Sequence, residues 1–517
     1  MSRTLPSTPT PVASAVPLIV ARPSTDNVGI IVDGATAGES LAGGETTIVA
    51  VTDIPPAHKV ALKGIAAGEP VIKYGQVIGA AIEPILAGAH VHDHNVGLLD
   101  LSARGASTVS SGTAYEPSED LTARTFMGYR RPDGRAATRN YIGIVPTVNC
   151  SSTVSKLIAQ AASIQFAGAP GLDGIVPLPH DQGCALAEHT IGDDILRRTL
   201  HGYATHPNFA GVLVVSLGCE VNQPENFLPD VIPGLTQLTI QELGGTAATV
   251  AEGVKQIGSL VAQLAELQRE PIPVAELTLG LQCGGSDAYS GLTANPTLGV
   301  AADMLVAAGG KVILGETPEI FGAEHLLRAR AATPSIAKQL DQTIDWWLHY
   351  TEDNGAELDN NPSKGNRAGG ITTIWEKSLG AVLKGGTSPL NDIVDYAAPV
   401  TTPGLTFMDT PGYDPVSATG MVAGGATVLA FTTGRGSVFG SRPVPCLKIS
   451  TTSGLYRRME GDMDFDAGQA FGHDRQLETG AQLFEAIIDM ASGNPSKSEQ
   501  LGFGTEEIVP WRIGAVL

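Results

Sequence analysis

Short runs of β-branched and apolar residues, separated by Gly/Pro turns, fill the first hundred or so positions. Residues 28–32, 47–51 and 70–78 stand out among them and predict strands. Past residue 126 the pattern changes. Apolar runs at 141–145, 211–216, 277–281, 311–314 and 427–432 alternate with helical stretches at 153–162, 253–268 and 296–308. Such alternation predicts a multidomain α/β chain: a small β module followed by a large body with mainly parallel sheets. Ligands in such sheets sit beyond the carboxyl ends of the strands, so the loops after these runs are where chemistry is expected.

The breaks in the pattern set a division. Residues 1–16, rich in Pro, Ser and Thr, read as a disordered tail; 17–100 as the β module; and 101–126, polar and rich in Ser, Gly and Ala, as a linker. Residues 127–272 and 273–517 read as two α/β domains. The boundary between them rests on Pro271 and Pro273, which look like a Pro-broken helix exit. A chain of 517 residues is too long for one core. No apolar run is long enough to predict a membrane-crossing helix.

Composition narrows the function. A formal charge of −21 disfavours a nucleic-acid partner, which needs a basic surface. It also means that an anionic substrate requires local cations. The five cysteines, Cys150, Cys184, Cys219, Cys283 and Cys446, are odd in number, widely spaced and without a C-x-x-C pair. That argues against a disulfide framework or a zinc ribbon and fits a reducing cytoplasm.

Several strings carry candidate chemistry. His90, His92 and His94 alternate, so in extended chain they share a side and could converge on a borderline metal; a polar exit held by hydrogen bonds is the competing reading. Residues 281–287, with Cys283, Ser286 and Asp287, follow a strand-like run and precede a helix start at Asn295. This is the outline of an anion- or metal-binding loop, or of a tight turn with a capping acid. His180 with Cys184, and Cys219 with Glu220, also fall just past strand ends. A thiolate ligand and a small buried hydrophobe are both open for each Cys. Lys364, Asn366 and Arg367 lie in a Gly-rich loop suited to a carboxylate or phosphate, or in a mobile surface loop. Thr433, Gly434 and Arg435 follow a buried-strand pattern, and Arg435 could clamp a carboxylate or face solvent. Asp464 and Asp466 could serve a metal or cap a turn.

Taken together, the strings HKVAL (58–62), IKYGQVIG (72–79), HVHDHN (90–95), GYRRPDGRAATRN (128–140), LGCEVNQ (217–223), QCGGSDAYSGLTANP (282–296), NPSKGNRAGGIT (361–372), FTTGRGSVFG (431–440) and DFDAGQ (464–469) resemble the altronate/galactarate dehydratase family. The histidine string and residues 316–324 look like its altronate branch. The resemblance implies a SAF-type β-clip module at 17–100 and loss of water from an aldonate, altronate giving 2-keto-3-deoxygluconate; a homo-oligomer, a dimer, is the expected assembly. A galactarate dehydratase or a sulfolactate-type sulfo-lyase of the same family is the alternative. It further implies a divalent metal, Fe(II) first and Mn(II), Mg(II) or Zn(II) after it. Proton abstraction beside a carboxylate leaves a dianionic enediolate, which needs concentrated positive charge. On this reading His92, His180, Lys364 and Asp287 are the candidate catalytic residues. Arg435, Thr433, Gly434, Asn366, Ser286 and Asn295 bind substrate, and His92, His94, Cys219 and Cys283 hold the metal.

Overall fold

The structure, a computed structural model, describes residues 15–98, 119–185, 187–228 and 234–514. All but the last two positions of the expected tail, and residues 101–118 of the expected linker, lie outside the described residues. The chain forms two compact units. The first is Met1–Ser107 with Pro362–Glu376, and the second is Thr108–Asn361 with Lys377–Leu517.

In the first unit, strands β1 (Val16–Ile19), β2 (Val28–Ile31), β3 (Ser40–Gly43), β4 (Thr46–Val49), β5 (Lys59–Ala61), β6 (Pro70–Lys73), β7 (Gln76–Ala81), β8 (His90–Val91) and β9 (Val96–Gly97) form two sheets. One has the order β4-β3-β1-β2-β5-β8 and the other β6-β7-β9. Leu18, Ile31, Leu41, Ile54 and Val60 form the core of the first of these. The run expected as one strand at 70–78 is instead a hairpin. Tyr74 and Gly75 both take positive φ, 61° and 73°. Two consecutive left-handed residues are what a tight two-residue hairpin turn requires.

Among the described residues, the second unit carries three sheets. β10 (Thr125–Arg130) pairs with β11 (Ala136–Ala137) and β16 (Glu270–Pro273) in an antiparallel ribbon. The expected helix exit at 269–273 is therefore a strand: the preceding helix, Thr246–Leu264, ends earlier, and an edge position tolerates both prolines. The second sheet is parallel. It comprises β12 (Tyr141–Pro146), β13 (Gly174–Pro177), β14 (Phe209–Ser216) and β15 (Leu235–Thr239), in the order β13-β12-β14-β15. Helices Asn149–Gln165 and Thr246–Leu264 cover it through a core that includes Ile142, Ile144, Ile158, Leu213, Ile257 and Leu260.

The third sheet is also parallel. Its strands are β17 (Thr278–Cys283), β18 (Lys311–Leu314), β19 (Leu390–Val394), β20 (Gly404–Met408), β21 (Val428–Thr433), β22 (Cys446–Ser450) and β23 (Phe465–Asp466). Their order is β19-β20-β18-β17-β21-β22-β23. β17, β20, β21 and β22 are buried along their whole length, as the continuous apolar runs of a doubly covered parallel sheet demand. After β17 the chain builds to one side through β18, and β21 later returns on the other. The topological switch point, the usual crevice for ligands, therefore lies between β17 and β21.

Candidate active site

A buried acid–base cluster sits at the carboxyl end of β17 and β18. Cys283 is the last residue of β17. Two residues past β18, Glu316 takes a left-handed φ of 68°, and its N–H donates to Thr410 Oγ1 at 2.7 Å. A non-glycine residue held there costs about 1–3 kcal/mol, a cost tolerated at sites where position matters. Glu319 follows in the turn Thr317–Glu319. Lys384 Nζ stands 2.9 Å from Cys283 Sγ and 2.9 Å from Glu316 Oε2. Lys377 Nζ stands 2.6 Å from Glu319 Oε1 and donates to Asn361 Oδ1 at 2.9 Å. Asn361 Nδ2 in turn donates to Glu319 Oε1 at 3.0 Å.

This setting separates the two glutamates. Burial pushes the Glu316 carboxyl up to about 8, against the pull of Lys384, while Glu319 and Asp414 beside it push further. Burial also acts upward on Glu319, but Lys377 and Lys384 outweigh it and hold that carboxyl below its usual range. Burial keeps Cys283 a thiol. Burial acts downward on Lys384, but its hydrogen bonds to Cys283 and Glu316 and the charge of Glu319 outweigh it and hold the ammonium above its usual range. Glu316 Oε1 is buried with no hydrogen-bond partner among the described residues. The cluster thus offers one carboxyl ready to give a proton and one ready to take it, with two fixed cations beside them.

Cys283, Glu316 and Glu319 also bring one donor atom each within 4.8 Å of one another, a spacing a single divalent ion could span. The Lys384 ammonium, 2.9 Å from two of those three donors, stands in the place of such an ion. As arranged, the residues form a hydrogen-bonded network of acids and lysines and do not fit a resident metal.

The expected substrate-binding loops meet at the switch point between β17 and β21. The Gly434 and Arg435 N–H groups both donate to Gly285 O, at 3.1 and 2.8 Å. Asp287 accepts from Tyr289 N, Ser290 N and Thr451 Oγ1, and burial pushes its carboxyl up to about 6. A Cβ on Gly434 would lie 2.1 Å from Asp287 Cγ, so only glycine allows this approach. Asn295 Oδ1 accepts from Thr432 Oγ1 at 2.6 Å. Thr433 Oγ1 accepts from Gly436 N at 3.0 Å, Ser286 is buried, and the Arg435 side chain is exposed.

The first unit gathers the histidines. His92 begins the turn that Asn95 closes, with Asn95 N donating to His92 O, so the string is not extended throughout. His58, on the chain entering β5, inserts among them and bonds His90 across 2.9 Å, Nδ1 to Nε2. Its ring centroid is 4.5 Å from that of His92, and those of His90 and His94 are 5.0 Å apart. Burial, then the neighbouring imidazoles and Lys59, depress His90 to about 3; burial and the same neighbours take His92 to about 4. The His90 and His92 rings are therefore neutral at neutral pH. Two of them spend facing nitrogens on each other, and His92 Nδ1 bonds Thr372 Oγ1 at 3.1 Å. Among the described residues no three-donor group forms here. Beneath the rings, Lys59 and Lys73 each bond Glu376 at 2.8 Å, which ties the inserted segment to the strands. Arg367 lies 3.8 Å from Asp93, Lys364 is exposed, and Asn366 caps its short helix through Ser363.

The remaining expected residues belong to the four-stranded sheet. His180 is buried, with Nε2 on Pro146 O and Nδ1 accepting from Gln182 N, so both nitrogens hold the loop. Cys219 is exposed past β14, on a different sheet from buried Cys283. Asp464 and Asp466 accept backbone N–H groups. Sequence reasoning missed His58, Glu376, Lys377 and Lys384, and left Glu316 and Glu319 without a role. The quoted strings HKVAL and 316–324 held a signal for three of them. Lys377 and Lys384 lie in an ordinary helical stretch with none.

Known proteins match along nearly the whole chain. Residues 17–98 match the altronate/galactarate dehydratase SAF domain. Residues 128–265 match the second domain of D-galactarate dehydratase/altronate hydrolase, and 274–516 the C-terminal part of D-galactarate/altronate dehydratase. An altronate dehydratase of Bacillus subtilis (strain 168) is 35% identical over 500 residues, covering 95% of this chain and 98% of that one. A galactarate dehydratase (L-threo-forming) of Escherichia coli (strain K12) is 36% identical, covering 92% and 94%. The (2R)-sulfolactate sulfo-lyase subunit beta of Chromohalobacter salexigens is 32% identical over 74% of this chain and 96% of its own. With relatives this similar over this much of its length, the chain belongs to the altronate/galactarate dehydratase family and is a hydro-lyase.

Proposed function

We propose that the protein dehydrates a sugar acid, D-altronate, to 2-keto-3-deoxy-D-gluconate and water. The observation that carries this reading is the pair of buried glutamates pushed apart in acidity around Lys384. Arg435, exposed at the switch point, binds the substrate carboxylate. Glu319, held ionised by Lys377, takes the proton from the carbon next to that carboxylate. The charge that builds on the carboxylate is met by Lys384. Glu316, protonated at neutral pH, gives its proton to the departing 3-hydroxyl as the carbon–oxygen bond breaks. The enol then tautomerises to the 2-oxo acid. Two fixed ammonium groups supply positive charge that the acidic chain as a whole does not.

The test is a panel of aldonates, aldarates and sulfolactate, followed by 2-oxo acid formation and by sulfite release. Altronate is expected to turn over fastest. Faster turnover of galactarate would move the substrate assignment to an aldarate. Sulfite release would favour the second reading, a sulfo-lyase, which the 32% identity to the sulfo-lyase subunit supports and which shares the first proton abstraction. The homodimer is part of the same proposal, and light scattering of the full chain checks it.

A further inference from the structure

We propose that Cys150, Cys184 and Cys219 together hold an iron–sulfur cluster at the carboxyl edge of the four-stranded sheet. In that sheet β12 is central. The chain passes from it to β13 on one side and then to β14 on the other, so the switch point lies between β12 and β14. That edge is where an open parallel sheet binds its ligand. Cys150 follows β12, in the first turn of helix Asn149–Gln165; Cys184 follows β13; Cys219 follows β14. Each of three neighbouring strands thus delivers one thiol to one edge.

The three loops are tied to each other within four residues of the thiols. Asn149 N donates to Gln182 O at 2.9 Å, and Asn149 Nδ2 to His180 O at 3.0 Å. Val221 N donates to Cys184 O at 3.0 Å. Asn222 Nδ2 donates to Thr147 O at 3.0 Å, and Thr147 Oγ1 donates to Glu220. Every pair of loops is linked, so the thiols sit on one framework.

Burial separates these cysteines from the rest. Cys283 and Cys446 are buried, as small apolar residues are, whereas Cys150, Cys184 and Cys219 are all exposed. Two features nearby suit an anionic sulfur centre. The helix that carries Cys150 starts with no side-chain cap on its N–H groups, and Gln241 Nε2 donates to Cys219 Sγ at 3.4 Å. Asn222 Oδ1 is buried there without a partner among the described residues.

Spacing chooses the ligand. A single ion about 2.3 Å from each thiolate holds sulfurs no more than about 4.6 Å apart. The three sulfurs here do not all lie within 4.8 Å of one another, among the described residues. A cluster of several irons bridged by sulfide spans the wider gap. Three protein thiolates on four irons leave one iron for a non-protein ligand. The proposal does not depend on the roles given to Glu316, Glu319 and Lys384.

Anaerobic loading of the full chain with an equal mixture of ferrous and ferric iron and with sulfide tests it. The expected result is broad visible sulfur-to-iron absorption, with about four irons and four acid-labile sulfides per chain. The triple variant Cys150→Ser, Cys184→Ser, Cys219→Ser is expected to lose both, and Cys446→Ala to keep them. Wild-type thiol alkylation, mapped by peptide mass before and after loading, covers a variant that fails to fold: all three thiols should become protected. One iron per chain without sulfide, unchanged alkylation on loading, or a cluster retained in a folded triple variant would each overturn the proposal.

Discussion

Lys384 Nζ lies 2.9 Å from both Cys283 Sγ and Glu316 Oε2, with all three side chains buried. One ammonium thus anchors the end of β17 to the residue that follows β18. Lys384→Met removes that charge while keeping most of the volume. Turnover is expected to fall by about 10²–10³-fold, the usual effect of losing one fixed donor at a developing charge. Leaving Cys283 and Glu316 without this buried hydrogen-bond partner also costs stability, about 1–3 kcal/mol, so thermal unfolding should be measured alongside. A folded variant with undiminished turnover would remove Lys384 from the chemistry.

Arg435 is the exposed cation at the β17/β21 switch point. Arg435→Lys keeps the charge and loses the two-pronged geometry. KM is expected to rise about tenfold, equivalent to about 1.4 kcal/mol, with kcat little changed. A fall in kcat at constant KM would assign Arg435 to the reaction step and not to binding.

The sheets were legible in the sequence because parallel strands buried on both faces read as continuous apolar runs, as at 278–283 and 428–433. The loops after them were legible for the same reason, and the structure brings Asp287, Asn295, Thr433 and Gly434 together there. The hairpin at Tyr74–Gly75 was not, because an apolar run does not show where φ changes sign. The acid–base cluster was hidden more deeply. Lys384 comes about a hundred residues after Cys283, from a turn following a short helix that is buried at every position, and nothing in its local sequence points to Cys283. Segment 362–376 read as part of the C-terminal domain, and nothing local shows that Glu376 pairs with Lys59 and Lys73 three hundred residues earlier.

That pairing carries a pH signature. Burial acts to raise the Glu376 carboxyl, but Lys59 and Lys73 outweigh it and hold it down to about 2, against an ordinary 4.5. A carboxyl depressed in the folded state adds stability that is complete above about 4.5 and disappears as pH falls through about 2. Glu376→Gln should therefore be less stable than wild type at neutral pH, by about 3–5 kcal/mol. The difference should shrink as pH falls through that window. Chemical denaturation across the range checks it, and a gap independent of pH would contradict the assigned ionisation.

The central claim is that Glu316 is the proton donor to the leaving hydroxyl, with Glu319 as the base. The most direct measurement is turnover of altronate, followed as 2-oxo acid, by wild type and by Glu316→Gln. The account predicts that wild type dehydrates altronate. The folded variant should lose about 10²–10⁴-fold in kcat, the range for removing a general acid, and still exchange the substrate's C2 proton with solvent deuterium. Undiminished turnover by the variant, or no dehydration of any aldonate or aldarate by wild type, would contradict it.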